Sequence, residues 1–419
     1  MRGQNPLENS GQQVIIGILI LKTSAFMPSN SDKLRQQISA ALETGAHQKG
    51  LQLLQAYCTQ YPDDAESHYQ LGVIEEQLGS AAGARKAYLR CLALSPENPL
   101  AYLYAGYCLQ QQGDHEAAIN LYSLASELDE GILYLWQSEQ HPPETRQRSA
   151  AANQALRTHL SALHRRAVGD RRDCSRVASA IWTRTHDSRY EFQALRQQPQ
   201  LFYLPELPAT PFIDPQALSW TDQLQSYAGE IQEELLGALP LIREKGRPYL
   251  PEGTPLDEAF APLVGSLNWT ALDLYVDGII NSDLSSYFPK LFSALETIPL
   301  YGLGDTPFEV FFSLLRPGQH IKPHFGESNH SLTVHLPIVL PDDCWLRVGG
   351  ETCRWQPGEI TIFDDTFDHE ACNESAQERI VLIFSIWHPD LSDAEQQAIQ
   401  RSFVARKHWL AQRQLPKTD

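Results

Sequence analysis

The chain has no CxxC pair, only two methionines and no long apolar run. Its seven cysteines, Cys58, Cys91, Cys108, Cys174, Cys344, Cys353 and Cys372, are scattered and odd in number, which fits neither a zinc framework nor a disulfide scaffold. Reduced thiols in a cytoplasmic protein are the expectation. The longest aliphatic stretch, Val14 to Leu21, has eight residues, far short of the roughly 20 that cross a bilayer. Before it only Arg2 is basic and Glu8 offsets it, a poor charge pattern for a signal peptide. Positive charge is scarce as well: 33 Lys and Arg face 51 Asp and Glu, a formal net charge of −18. Phosphates repel so acidic a chain, so neither nucleic acid nor an anionic membrane surface is an expected partner.

What is present suffices for cores. The 419 residues suggest two or three domains, and 42% hydrophobic with 20% charged residues excludes general disorder. Met27 stands directly before Pro28, Ser29 and Asn30. Translation is expected to begin there, with residues 1–26 an upstream extension that is untranslated or disordered.

Positions 34 apart agree over the first third. Gly45, Gly79 and Gly113 align, as do Gly50, Ala84 and Ala118; Pro62 matches Pro96, Gly72 matches Gly106 and Tyr88 matches Tyr122. Each unit reads as two amphipathic helices joined at a glycine, with small residues where helices approach. The period resembles the tetratricopeptide repeat. Such an array offers a concave surface for a protein partner, or simply props up a neighbouring domain. Between 143 and 190 lies a basic island of arginines, among them Arg148, Arg157, Arg165, Arg171 and Arg176. A solvated helical connector whose arginines pair with the abundant carboxylates is the expectation over an acidic partner.

The texture changes near residue 200. Pro205, Pro208, Pro211 and Pro215 are followed by a helical pattern from Ser219 to Ile242. Strand patterns then recur at Phe308–Leu315, Ser331–Leu340, Cys344–Val348, Glu351–Trp355, Glu359–Phe363 and Arg379–Trp387. Gly349-Gly350 marks a hairpin. Ser392 with Glu395 is a capping box that opens a last helix toward His408. The expected fold is α+β and multidomain: tetratricopeptide-like repeats over 27–135, a basic connector over 136–197, a double-stranded β-helix (jelly roll) with flanking helices over 198–395, and a C-terminal helix over 396–419.

The residue types that carry chemistry are His324, His369 and Arg379. Two histidines 45 positions apart, with an arginine ten further on, are laid out as in a jelly-roll iron oxygenase, where two imidazoles and usually one carboxylate share one face of Fe(II). The carboxylate would sit two residues after the first histidine, and there the chain has Gly326. That opening leaves room for water, or for chloride in a halogenase.

The surrounding blocks decide the direction. Leu315-Arg316-Pro317-Gly318 through Pro323-His324-Phe325-Gly326, then Val334-His335-Leu336-Pro337, Leu346-Arg347-Val348-Gly349, Ile362-Phe363-Asp364-Asp365-Thr366-Phe367-Asp368-His369-Glu370, Arg379 and Trp387-His388-Pro389 closely resemble the aspartyl/asparaginyl β-hydroxylase family. So does Phe202-Tyr203-Leu204-Pro205-Glu206-Leu207-Pro208, and the likeness runs over roughly residues 198–395. The resemblance implies a 2-oxoglutarate-dependent dioxygenase using Fe(II), 2-oxoglutarate and dioxygen, with His324 and His369 as metal ligands. It implies Arg379 on the far carboxylate of 2-oxoglutarate, with Ser313 and His335 as further cosubstrate contacts, and Asp365 as the acid that holds water at the open ligand position. Gly326 agrees with the family, whose members lack the third protein ligand. It implies hydroxylation at the β-carbon of an Asp or Asn residue in a peptide, a protein or a free amino acid.

One departure concerns substrate: relatives carry arginine at Ser331, Thr333 or both. Arg347, Arg354 or Lys322 would have to replace that charge; otherwise a lipid or carrier-bound amino acid becomes an alternative. His320, His330 and His388 are read as ordinary loop or edge histidines. Trp269 is read as core, with Asn268 beside it near the pocket. The competing functions are a halogenase using the opening at Gly326 and a catalytically idle scaffold binding a partner through its repeats.

Overall fold

A computed structural model describes residues 30–254 and 258–416. The expected start at Met27 and the extension before it lie outside the described residues. The chain divides into two compact units, one ending at Leu156 and taking in the residues from Arg413 on, the other running from Arg157 to Gln412.

The first unit is helical. Helices α1 (Asn30–Glu43), α2 (His47–Gln60), α3 (Ala65–Gln77), α4 (Ala81–Leu94), α5 (Pro99–Gln111) and α6 (His115–Leu128) pair as α1–α2, α3–α4 and α5–α6. The 34-residue period is visible in its turns. Gly45, Gly79 and Gly113 adopt φ of 74°, 82° and 87° after the first helix of each pair. A side chain resists that left-handed conformation, and it is the one that closes a helix by returning N–H groups to the last turn. Asp64, Asn98 and Asp114 cap the next helices by accepting from the backbone N–H of Ser67, Ala101 and Ala117. Within the pairs, the rings of Tyr88 and Tyr122 lie against Gly72 and Gly106. Their hydroxyls donate to Glu76 and Gln110, 3.1 and 2.7 Å away. Both tyrosines are fully buried, so each ring occupies the space its glycine leaves empty.

The residues expected as a connector are not a separate body. The helix Pro143–Val168 spans the point at which the units divide, and the residues after it, including the short strand Ile181–Trp182, fold into the second unit. The arginines here are engaged: Arg148 with Glu76 at 2.6 Å, Arg165 with Asp187 at 3.0 Å, Arg176 with Glu395 at 2.9 Å. The last helix starts earlier than residue 396, at Asp393, and runs to Gln412. Its capping box is made: Ser392 Oγ accepts from the Glu395 N–H, and the Glu395 carboxylate accepts from the Ser392 N–H. The pattern read as one helix over Ser219–Ile242 is three short ones, Thr221–Ser226, Ala228–Gly237 and Leu239–Lys245.

Two antiparallel sheets form the body of the second unit. Its principal strands are β1 (Trp269–Val276), β2 (Val310–Leu315), β3 (His320–His324), β4 (Ser331–Val339), β5 (Cys344–Val348), β6 (Glu351–Cys353), β7 (Thr361–Phe363), β8 (His369–Asn373) and β9 (Arg379–Trp387). The larger sheet runs β7-β4-β9-β2-β1, extended at its ends by Phe212–Ile213 and Arg247–Pro248; the smaller runs β6-β5-β8-β3. All nine residues of β9 are buried, because this central strand has a core on each side. Ile380, Leu382, Phe384 and Ile386 face a core shared with Phe288, Leu291 and Ile231 from the covering helices. Val381 and Ile383 point the other way, with Phe311 and Ala271. Between the sheets, Leu315, Ile321, Leu346, Val348 and Phe363 pack together. Two-sided burial makes a strand continuously apolar instead of alternating, so the single charge in β9, Arg379, stands out.

Gly106→Val should place methyl groups into the Tyr122 ring, whose Cε1 already stands 2.6 Å from an ideal Cβ. Overpacking of this kind costs about 1–3 kcal/mol. Thermal unfolding followed by circular dichroism should show a lowered transition for the repeat unit; an unchanged transition would show that the ring can move aside.

Candidate active site

His324 ends β3 and His369 begins β8, and the two are direct cross-strand partners. Pairing places their rings 4.0 Å apart between centroids, inclined at 49°. Each Nδ1 faces a backbone carbonyl: that of Lys322 at 2.8 Å from His324, and that of Phe367 at 3.1 Å from His369. A ring that donates from Nδ1 carries its lone pair on Nε2, so both imidazoles are fixed in the tautomer a metal requires. Burial, reinforced by His324, pushes the His369 pKa down to about 3, and burial lowers His324 as well. Both rings are therefore neutral near pH 7, as ligation demands.

Arg379 opens β9 and is 1% exposed. Its Nη1 donates to the carbonyl and hydroxyl of Ser313, at 3.3 and 3.2 Å, and its Cζ lies 4.8 Å from the centre of the Trp355 ring. Nε has no partner, and among the described residues no carboxylate pairs with this guanidinium. Burial lowers its pKa only to about 10, so it stays charged. Ser313 Oγ also accepts from Trp269 Nε1 at 3.1 Å. Two donors on one hydroxyl oxygen leave that hydroxyl's own hydrogen to point elsewhere. His335, 6% exposed, has an unpartnered Nδ1 and is held well below the usual imidazole range, by burial first and then by Arg379.

Asp365 completes the set. An ideal Cβ on Gly326 would overlap its carboxylate, so the acid occupies the space where a side chain at 326 would stand. The Gly326 N–H donates to the Asp365 carbonyl at 2.7 Å, and Thr333 Oγ1 donates to the carboxylate at 3.0 Å. Burial first, then Asp364, raises the Asp365 pKa to about 8. Ser313, His324, His335, Asp365, His369 and Arg379 all line one cavity between the sheets. Among the described residues no group of three or more His, Cys, Asp or Glu gathers as a metal cage.

Residues 228–389 match the family model described as aspartyl/asparaginyl beta-hydroxylase, and residues 35–99 and 69–131 match the tetratricopeptide repeat. The chain carries an aspartyl/asparaginyl β-hydroxylase domain. It is 27% identical to the aspartyl/asparaginyl beta-hydroxylase of Homo sapiens, over 84% of this chain and 42% of that protein. It is 29% identical to aspartate beta-hydroxylase domain-containing protein 2 of Mus musculus, over 50% of this chain and 60% of that one. The chain thus spans less than half the length of the first relative and three-fifths of the second. Among solved structures it is similar to MamA, at 20% identity and a TM-score of 0.25, over 31% of this chain and 77% of that one.

Several residues of this domain have surroundings other than expected. His330 and His388 do lie in loops, in the turn before β4 and directly after β9, but they are enclosed: they are 1% and 3% exposed. His330 sits among the rings of Phe202, Tyr301, Trp387 and Phe403, with neither nitrogen bonded. His320 bonds the buried Glu370 at 2.6 Å, away from the cavity. Trp269 is more than core: it lines the cavity, stacks on Tyr249 at 3.9 Å and orients Ser313. Asn268 instead donates to the Pro262 carbonyl. Thr333 reaches the site, whereas Ser331 donates to the Ser328 carbonyl at 3.4 Å and is not part of the lining. None of the proposed replacement cations lines the cavity: Arg347 pairs with Glu370, Lys322 bonds His320, and Arg354 is exposed. Glu309 is a lining residue that the sequence reading passed over; it lies on the Phe311–Ser313 face of the chain, one alternation before Phe311.

Burial pushes the His330 pKa down to about 3. A lowered folded-state value means that stability tied to the neutral ring is intact above about pH 6.5 and lost as pH falls toward 3, by up to ~1.4 kcal/mol per pH unit. His330→Phe should remove that acid sensitivity and stabilise the protein by about 1–2 kcal/mol, since two unbonded nitrogens leave the core. Urea unfolding at pH 5 and pH 7 would check it; equal pH dependence in both proteins would refute it.

Proposed function

We propose that this chain is an Fe(II)- and 2-oxoglutarate-dependent dioxygenase that hydroxylates an unactivated carbon. By the names of its relatives, the target is the β-carbon of an Asp or Asn residue, free or in a peptide or protein. One observation carries the reading: two neutral imidazoles with their Nε2 edges unbonded stand in the same cavity as a buried guanidinium that has no counter-charge among the described residues. A buried cation left unpaired is costly, by several kcal/mol, and a dicarboxylate cosubstrate supplies the missing anion. Fe(II) bound with 2-oxoglutarate and dioxygen supplies the chemistry, in which one oxygen atom enters a C–H bond of the substrate and the other leaves in succinate, with release of carbon dioxide.

The chain's own residues do the positioning. His324 and His369 would hold the metal, each braced at Nδ1 by a backbone carbonyl. Arg379 takes the far carboxylate of 2-oxoglutarate in a forked contact that a point charge could not match. Ser313, its oxygen already taken by two donors, offers its hydrogen to the same carboxylate. His335 borders it with an unbonded nitrogen. Asp365, held by Thr333, would orient a water at the position that lacks a third protein ligand; its raised pKa lets it keep or release a proton near neutrality. That same carboxylate fills the opening at Gly326, which argues against chloride there and so against a halogenase. Trp269, Tyr249, Phe311 and Phe363 keep bulk water out. We assign the tetratricopeptide repeats to binding a protein partner. The seven cysteines are all unpaired, which suits the cytoplasm.

Anaerobic protein given Fe(II) and 2-oxoglutarate should develop a visible charge-transfer band, and His369→Ala should abolish it. Arg379→Gln should keep the fold but require about 100-fold more 2-oxoglutarate for half-saturation, the usual scale for removing one partner of a buried charged contact. A well-folded wild-type protein with no band would favour the scaffold reading instead.

A further inference from the structure

We infer that the substrate presents a cation, an ammonium or guanidinium group, to Glu309 at the end of the cavity away from Arg379. The inference rests on the oxygenase reading and adds the charge of the substrate to it. Two polar atoms mark the cavity as one that takes a ligand: Arg379 Nε and His335 Nδ1 belong to side chains more than nine-tenths buried, line it, and have no partner. The carboxylates then say what sits at the other end.

Strand register lays the wall out. Alternate residues of β9 share a face, which puts Arg379, Val381, Ile383 and Ser385 together; Arg379 and Ile383 line the cavity, and Ser385 holds the lining residue Glu309. Ser385 is six residues from Arg379, ~20 Å along the strand. A five-carbon diacid gripped by Arg379 does not reach that far, so the Ser385 end belongs to the substrate. Ser385 pairs with Thr333 on the neighbouring strand. Its Oγ donates to Glu309 Oε1 at 3.1 Å, while Thr333 donates to Asp365. The result is a polar row, Glu309–Ser385–Thr333–Asp365, with an acid at each end.

The charges around this row do not cancel it. Asp273 is neutralised by Arg247, in two contacts of 2.5 and 3.0 Å. Arg184 offsets Glu327, and Asp277 adds to the negative side. Among the described residues no Lys or Arg pairs with Glu309 or Asp365. Burial, with Glu327, Asp273 and Asp277 behind it, holds the Glu309 carboxyl above its usual range. An anionic substrate group would meet this wall at a loss, whereas a cation removes the repulsion and gains a charge-assisted hydrogen bond. Two sources share the chemistry: the α-ammonium of a free amino acid, or a basic side chain in a peptide.

The test is calorimetric titration of the full chain loaded with Fe(II) and 2-oxoglutarate under nitrogen. Free asparagine is compared with Nα-acetylasparagine, and Nα-acetyl-lysine amide with Nα-acetyl-norleucine amide. At least one cationic probe should bind about tenfold tighter than its uncharged match, should weaken as salt rises, and should lose the advantage in Glu309→Gln. Preference within the first pair identifies the α-ammonium, and within the second a basic side chain. If neither cation outbinds its match in the wild-type protein, or if Nα-acetyl-aspartate amide binds tighter than both, the inference is wrong whatever the variant does. The charge-transfer band in the same wild-type sample separates the two readings: band present without cation preference overturns only this inference, and band absent overturns the oxygenase reading beneath it.

Discussion

A guanidinium locked inside a β-sandwich is the constraint around which the second unit is built. Arg379 is the only charge in a strand buried on both sides, and the wall answers it only with the Ser313 oxygens and the Trp355 ring. The same low-polarity surroundings act on its neighbours with opposite results. They bring His369 down to about 3 and leave Arg379 at about 10. At neutral pH the cavity therefore holds lone-pair donors and a fixed cation side by side. No chemical modification is needed to reach that state; it follows from burial acting on groups with different starting pKa values.

The second feature that organises the site is the exchange between Gly326 and Asp365. A glycine where a ligand is expected looks like a deletion in the sequence. In the structure it is a clearance that the Asp365 carboxylate fills, tied back by Thr333 and by the Gly326 N–H. The acid is therefore delivered from the β7–β8 turn and not from the strand that carries His324. This keeps a carboxylate next to the imidazole pair while leaving its protonation adjustable.

Much of this was legible beforehand, for identifiable reasons. The repeat period survives in sequence because left-handed turns and ring-against-backbone contacts admit few residue types, as at Gly79 and Gly72. The strand Ser331–Val339 declared itself because its cavity side alternates with an aliphatic side. The strands bearing the histidines did not: His320–His324 contains a proline and Lys322, and no alternation marks it. Side-chain identity could not tell that His330 is enclosed by aromatic rings, since its partners Phe202, Tyr301 and Phe403 are distant in the chain. Nor could it show Trp269 as a site residue, because its role is a single N–H aimed at Ser313 across two strands. Glu309 lay inside the Phe308–Leu315 run, but a single acid in an otherwise apolar stretch carries no sign of which wall it faces.

The β9 register has a further consequence. A side chain's inward or outward sense along an extended segment depends only on odd or even position. Sliding Arg379–Trp387 by one place would turn the guanidinium and Ser385 into the helix-covered core and aim Leu382 and Phe384 at the imidazoles. Such a slipped form would bury an unpaired charge in hydrocarbon and hollow out the opposite layer at once. Chemistry and folding thus share a single alignment, and a chain that misplaces one has no means of keeping the other.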